Sequence, residues 1–375
     1  MWRRAGTLNR RVLVTVIVGL VLTAGLGSQP AYATAQAATR SGLATVGLPR
    51  LSTAPVVRIG FFANLTHAPA LVAQDLRLFE TLLGKDGTRV EYVLFNAGPA
   101  AVEAMKGGAI DVAYIGPTPA VTGYATTHGS LLRVVSGVAS GGAQLVVRPS
   151  ITKVSDFKGA KLTTPQLGNT QDVALRSWLK GNGLNTTISG GGDVSIYSTE
   201  NSTSLSLFKK GQIDGAWLPE PWASRLVLEA GAKVYLDEKS LWPRGRFVTT
   251  NIIAAQDFLN RYPGTVRSIL QANNSAITYI KENPQKATAI VQDQIAKWTG
   301  RPLPAAVVKR AWNNLTFTWD PLPLSLKKDA ADAVSVGLLS LAPGQIDGIF
   351  DLRLLNAVLR AASGHTVTAS GLGLE

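Results

Sequence analysis

From Pro55 onward, short runs of β-branched and apolar residues alternate with stretches in which apolar positions recur every three to four residues. That alternation predicts βαβ units around mainly parallel sheets, an α/β fold. Val56–Phe61, Arg89–Phe95, Ala109–Ile115 and Leu131–Val138 read as strands, with helices over Ala68–Phe79, Ala100–Lys106 and Val121–Thr127. A second set follows, with strands Gln144–Arg148, Ala160–Thr164, Val194–Ser198 and Ile213–Trp217 and helices Gln171–Lys180, Ser202–Lys210 and Trp222–Ala230. After a return strand over Phe247–Ala254, the spacing from Gln256 to Ala362 is mostly helical and is broken by prolines.

The chain before Pro55 follows a different pattern. Arg3, Arg4, Arg10 and Arg11 precede the apolar run Val12–Leu26, and Ala31-Tyr32-Ala33 has the small-residue form of an export cleavage site. The run is shorter than the roughly 20 residues a membrane-spanning helix needs. Residues 1–33 are therefore expected to be a signal peptide, cleaved there or retained as an anchor, with ordinary secretion preferred to the twin-arginine route. Residues 34–54 have no aromatic side chain and are rich in Ala, Thr, Ser and Gly, which reads as a flexible spacer. The mature chain is expected to be secreted, periplasmic or held at the cell surface, without a cysteine to carry a lipid.

Composition narrows the chemistry. None of the 375 residues is cysteine, which excludes disulfides, thiolate metal sites, iron–sulfur clusters and a cysteine nucleophile. His67, His128 and His365 are too far apart in sequence to form a local metal-ligand pair, so neither metal nor other cofactor is expected. The formal charge is +13, or +9 without the four leader arginines. Scattered cations behind an export leader do not suggest nucleic acid as a partner. The sequence has no G-x-S-x-G elbow, P-loop or H-E-x-x-H motif, so hydrolase, nucleotide-binding and zinc-protease readings lack their signatures.

One stretch occurs twice. Lys106-Gly107-Gly108-Ala109-Ile110-Asp111-Val112-Ala113 resembles Lys210-Gly211-Gln212-Ile213-Asp214-Gly215-Ala216, each joining a helix end to a buried strand. Two similarly built lobes explain this economically. Chance recurrence is the rival, because Gly344-Gln345-Ile346-Asp347-Gly348 carries part of the pattern elsewhere.

Gly60 and its loop, Phe95-Asn96-Ala97-Gly98-Pro99, the segment Gly108–Pro119 and Asp214-Gly215-Ala216-Trp217-Leu218-Pro219-Glu220-Pro221-Trp222 occur in an order and spacing that point further. Together they resemble the aliphatic-sulfonate, nitrate and taurine class of ABC-importer solute-binding proteins, most closely the aliphatic-sulfonate binders, over about residues 56–360. The resemblance implies a type II periplasmic-binding-protein fold, two α/β lobes joined by two hinge strands with a C-terminal helical extension. Lobe one is then expected at 55–142 plus 247–362, lobe two at 143–246, and a flexible tail at 363–375. It also implies a monomer that gives a small organic anion to a permease and its ATPase. Thiamine-precursor synthases share this fold, but their histidine and cysteine features have no counterpart here, so an enzyme is not expected.

The residues that could hold a ligand lie in loops where strands give way to helices. Gly168-Asn169-Thr170-Gln171 precedes a predicted helix; Asn169 or Thr170 can cap it, and Gly168 permits close backbone approach. A free helix start there suits an oxyanion. Gly116-Pro117-Thr118 repeats the arrangement in the other lobe, and so does Asn64-Leu65-Thr66-His67 after the first strand. His67 is either a donor or cation for an anion, or a satisfied loop histidine. Glu220 is expected at the cleft rim, orienting an amine or a neighbouring group, and Trp222 can cover an organic tail. Thr250, with Thr249 and Asn251, is expected to close the site. An aliphatic sulfonate leads the ligand classes, with taurine, nitrate or a thiamine or pyrimidine precursor as alternatives.

Overall fold

The computed structural model describes residues 51–375, so the expectations for the leader and for the spacer up to residue 50 lie outside the described residues. The spacer's last residues are already part of the fold. Ala54 is buried and its N–H donates to Thr265 Oγ1 (2.8 Å), while Gly264 N–H donates to Ser52 O (2.9 Å). Backbone pairing holds a segment whose side chains bury little surface.

The strands are β1 (Val56–Phe61), β2 (Arg89–Leu94), β3 (Val112–Ile115), β4 (Leu132–Gly141), β5 (Ala143–Val147), β6 (Lys161–Thr164), β7 (Ser195–Ser198), β8 (Gly215–Pro219), β9 (Lys233–Asp237), β10 (Val248–Ala255), β11 (Leu315–Phe317), β12 (Phe350–Asp351) and β13 (Gly373–Leu374). The helices are α1 (Ala68–Asp75), α2 (Leu78–Leu83), α3 (Gly98–Lys106), α4 (Pro117–Thr126), α5 (Thr170–Gly181), α6 (Asn201–Lys209), α7 (Trp222–Ala230), α8 (Gln256–Arg261), α9 (Pro263–Glu282), α10 (Pro284–Thr299), α11 (Ala305–Asn313), α12 (Pro323–Ser335) and α13 (Arg353–Ser363). None of the described helices is long and apolar enough to cross a membrane.

Two sheets organise these elements. The larger has the order β13-β12-β4-β10-β3-β1-β2, with β11 on the end of β4; the smaller runs β7-β6-β8-β5-β9. In the larger sheet β1 is parallel to β2 and β3, and β10 returns antiparallel between β3 and β4. Alternation along β5 shows how the smaller sheet buries both faces. Leu145 and Val147 face a cluster with Leu162, Leu175 and Trp217, whereas Val146 joins Phe208, Leu218 and Leu226 on the other side.

The chain first passes between sheets at Gly141-Gly142, both with left-handed φ (80° and 73°). Neither position has room for a side chain. A β-carbon on Gly141 would lie 2.7 Å from Asn314 O, and one on Gly142 would strike Leu315. It returns through the short turns at Glu238–Leu241 and Pro243–Gly245 before β10.

The repeated stretch has a structural counterpart in each sheet. Asp111 Oδ2 accepts from Arg58 N–H and Asp214 Oδ2 from Lys161 N–H, both at 2.8 Å. The backbone N–H of each aspartate donates to the carbonyl of that same partner (2.9 and 2.7 Å). Each motif thus locks the entry of a buried strand to its parallel neighbour. The third copy does not: Asp347 sits in a turn, with its N–H on Gly344 O.

Some expectations are corrected. The helix predicted over Ala68–Phe79 breaks at Arg77, whose φ of 53° ends α1 and starts α2. Residues 363–375, expected as a flexible tail, return to the larger sheet. There β13 pairs with β12, Ala369 and Leu372 are buried, and Asn356 exchanges two hydrogen bonds with the Val367 backbone.

Candidate functional site

The C-terminal ends of the parallel strands carry the loops in which the chain turns into helices, the usual ligand position in open α/β sheets. Phe62 and Asn64 follow β1, Gly98 follows β2, Gly116 follows β3, Asn169 follows β6, and Pro219 ends β8. These residues, with Thr66, His67, Pro119, Thr170, Gln171 and Thr249, enclose a cavity of about 30 Å³. That is room for about two water molecules. Of the residues predicted from sequence, Asn64, Thr66, His67, Gly116, Asn169, Thr170 and Gln171 meet here.

Among the described residues, no Lys, Arg, Asp or Glu lines this cavity. Its electrostatics come from the backbone. The Leu65–His67 turn leading into α1, and the first residues of α3, α4 and α5, all border it. A helix start carries roughly half a positive charge and unbonded N–H groups. Prolines thin out the donors: Pro99 occupies the second position of α3, and Pro117 and Pro119 occupy the first turn of α4. In α5, Asn169 Oδ1 caps Asp172 N–H (2.9 Å) and Asn169 O accepts from Val173 N–H (3.1 Å), leaving the Thr170 and Gln171 N–H groups. Thr170 Oγ1 is buried and has no hydrogen-bond partner among the described residues.

The two halves of the site are in contact. A β-carbon on Gly116 would overlap Thr170 Oγ1, so the starts of α4 and α5 abut. Trp222 Nε1–H donates to Asn64 Oδ1 (3.0 Å), and Asn96 Nδ2–H donates to Glu200 Oε1 (2.7 Å), both reaching from one sheet's loops to the other's.

His67 is buried, and both ring nitrogens are engaged. Nε2 lies 3.2 Å from the Tyr114 carbonyl, which can only accept, so Nε2 carries the proton and Nδ1 accepts from Thr66 Oγ1–H (3.1 Å). Burial pushes the imidazole pKa down to about 3. His67 is therefore neutral near pH 7 and is not the cation considered from sequence.

Other expected residues lie apart from the polar cavity. Thr118 and Gly168 border a neighbouring chamber of about 200 Å³ with Val102, Leu167, Val173 and Leu338; Pro119 borders both spaces, and Pro117 only starts α4. Thr118 Oγ1 is buried without a partner. Thr250 is not at the cavity: Thr249 lines it, and strand alternation turns Thr250 the other way. Glu220, expected at the rim, is fully buried in a network near the first crossing. Its Oε1 accepts from Asn314 Nδ2–H (2.6 Å), Arg310 (3.2 Å) and Ser224 Oγ–H (2.9 Å), and its Oε2 from Ser224 N–H (3.0 Å). Arg310 also donates to Ser224 Oγ (2.7 Å) and Gln144 Oε1 (2.8 Å).

Asp172, to which the sequence reading gave no role, is also buried. It accepts from Thr164 Oγ1–H, Gly168 N–H and Arg176 Nε–H, each at 3.0 Å, and forms a fully buried ion pair with Arg176. The four-residue spacing of Asp172 and Arg176 on one helical face was the available signal. Phe62 and Gly98 were missed because a phenylalanine or glycine beside a loop has no distinctive pattern.

Residues 52–296 match the NMT1-like family. The chain belongs to that family. Within its wider kinship, a taurine-binding periplasmic protein of Escherichia coli is 23% identical over 220 residues, covering 58% of this chain and 65% of that protein. The alkanesulfonate-binding protein SsuA of Xanthomonas axonopodis pv. citri, solved bound to MOPS, superposes with a TM-score of 0.65 at 22% identity, covering 77% of this chain and 96% of that one. The nitrate-binding protein NrtA of Synechocystis PCC 6803 superposes with a TM-score of 0.71 at 16% identity, covering 85% and 91%. This NMT1-like chain therefore has the type II periplasmic-binding-protein fold, and these three proteins similar to it are binding proteins, not enzymes.

Proposed function

We propose that this chain is the extracytoplasmic receptor of an ABC importer and captures a small organic anion, foremost an aliphatic sulfonate, between its two sheets. The observation that carries this reading is the convergence of four helical starts on a polar cavity that no charged side chain among the described residues lines. Such a site favours an oxyanion through N–H groups and dipoles. Thr170, Gln171 and Asn64 would take the head group. The chamber beside it, walled by Val102, Val173 and Leu338, would take an aliphatic chain.

In this reading the lobes are 55–142 with 247–362, and 143–246, and they close about Gly141-Gly142 and the segment before Val248. The closed receptor would dock on a permease, whose ATPase drives release. The names of the similar proteins support this solute class. A pyrimidine or thiamine precursor is disfavoured, because that reading required Glu220 at the cleft and Glu220 is committed to Arg310, Asn314 and Ser224.

The test is a thermal-shift and calorimetric titration with butanesulfonate, taurine, nitrate and sulfate. At 100 times Kd, a ligand that binds only the folded state adds about 2.7 kcal/mol of stability. The expected result is a selective rise with butanesulfonate that Thr170→Ala diminishes. A rise with nitrate alone would remove the organic chain from the reading, and no response to any of the four would overturn it.

A further inference from the structure

Another pocket, open to solvent, lies away from the cleft, where the chain returns from the smaller sheet to the larger. It has a volume of about 360 Å³ and lies between the 242–246 turn, the first turns of α12 and residues 368–370. Sites for small organic molecules measure roughly 300–1,000 Å³, so this pocket is large enough to hold one.

The backbone around it is strained. Of the non-glycine residues with left-handed φ among the described residues, Arg244 (56°), Leu322 (50°) and Ser370 (51°) all line this space, one from each of its three segments. Each such residue costs about 1–2 kcal/mol relative to ordinary backbone. Strain retained at several points around one cavity is typical of ligand clamps.

The side chains indicate what would fit. Trp242, Leu322, Pro323 and Leu324 make apolar walls, and Arg244, Arg246 and Lys328 supply positive charge. Asp320 holds Arg246 (3.0 Å). Asp332 holds Lys328 (2.5 Å), whose ammonium also lies 4.6 Å from the centre of the Trp242 ring. Arg244 is exposed and has no ion-pair partner among the described residues. Two further acids, Glu238 before the turn and Asp329 on α12, interact electrostatically with Lys328 without lining the pocket. Both are buried, which raises their pKa values, that of Glu238 to about 7.

We propose that this pocket is a second ligand site, which takes an aliphatic organic anion, its acid group on Arg244 and Lys328 and its apolar body against Leu322 and Pro323. Nothing in the argument requires the cleft to bind a sulfonate, so the two readings stand or fall separately. The probe is octanoate, titrated calorimetrically into the full chain and into the Arg244→Ala and Thr170→Ala variants.

The expected result is saturable binding to the wild-type chain and to Thr170→Ala alike, weakened at least about tenfold by Arg244→Ala through loss of one charge-assisted hydrogen bond. Arg244 is exposed, so its variant is expected to fold, and an unchanged circular dichroism melt verifies that. Absence of octanoate binding to the wild-type chain would overturn the proposal. So would binding that Thr170→Ala abolishes and Arg244→Ala leaves intact, which would assign octanoate to the cleft. Arg244-dependent octanoate binding in a chain that ignores butanesulfonate would uphold this site while refuting the cleft reading.

Discussion

Replacing Arg310 with alanine removes the one cation that the described residues place in the Glu220 network, and tests whether that network bears weight in the fold. Arg310 donates to Glu220, Ser224 and Gln144, and so connects α11 to β5, the end of β8 and α7. Deleting one partner of a buried pair costs about 3–5 kcal/mol. Two features moderate the loss here. Glu220 keeps the amide of Asn314 and both donors of Ser224. Its carboxyl can also take up a proton, at a cost near pH 7 of about 3.7 kcal/mol for an ordinary glutamate pKa of about 4.3. The expected deficit at pH 7 is therefore about 2–4 kcal/mol.

The pH dependence of that deficit is the sharper test. Burial already holds Glu220 above the ordinary carboxylate range, and losing Arg310 raises it further. A group whose folded pKa is raised contributes stability that is fully present below its unfolded pKa and lost as pH rises through the folded value. The deficit of Arg310→Ala should thus be smallest near pH 4.5 and larger at pH 8 by more than about 1 kcal/mol. Urea unfolding at the two pH values, followed by tryptophan fluorescence, measures it. A deficit that is constant with pH, or larger in acid, would refute the assignment of Glu220 as a carboxylate compensated by Arg310.

Other perturbations give distinct outcomes. Gly116→Ala would set its β-carbon against Thr170 Oγ1 and should weaken cleft binding roughly tenfold or more, as titration with the cleft ligand will check. Trp222→Phe loses the bond to Asn64 and should lower the same affinity about 2–10-fold in calorimetry. His67 has a depressed folded pKa of about 3, so it contributes stability above its unfolded pKa that is lost as pH falls toward the folded one. The wild-type chain should lose about 3 kcal/mol from this residue between pH 7 and pH 4, and His67→Leu should not show that component in acid unfolding curves. Burial raises Glu238 to about 7, so its contribution is present in acid and fades as pH rises through 7. Stability measured from pH 5 to 8 should fall less steeply in Glu238→Gln than in the wild-type chain.

Periodicity revealed most of the framework because both sheets bury apolar residues on regular spacings. The nine strands expected from Val56 to Ala254 correspond to β1–β8 and β10, with ends displaced by a few residues. Edge strand β9 escaped notice because much of it is only half-buried and its ends are charged. The short β11, β12 and β13 carry too few residues to show a period, and their pairing is set by distant neighbours such as Ser140 and Val134. In the candidate site, the loops were legible because helix starts announce themselves through Asn, Thr, Gly and Pro. Side-chain destinations were not. Glu220 follows a strand as a rim residue would, but Arg310 and Asn314, some ninety residues later, turn it inward. Which of Thr249 and Thr250 faces the cavity depends on register irregularities along β10.

The positive character of the cavity belongs to peptide dipoles at four chain turns, and no single codon encodes it. Removing any single side chain of the lining can reshape the walls or take away a hydroxyl, but leaves those dipoles in place as long as the helices keep their positions. If the cleft takes the anion proposed for it, the choice among solutes would drift with a few side chains, while the pull on negative charge would be inherited with the architecture.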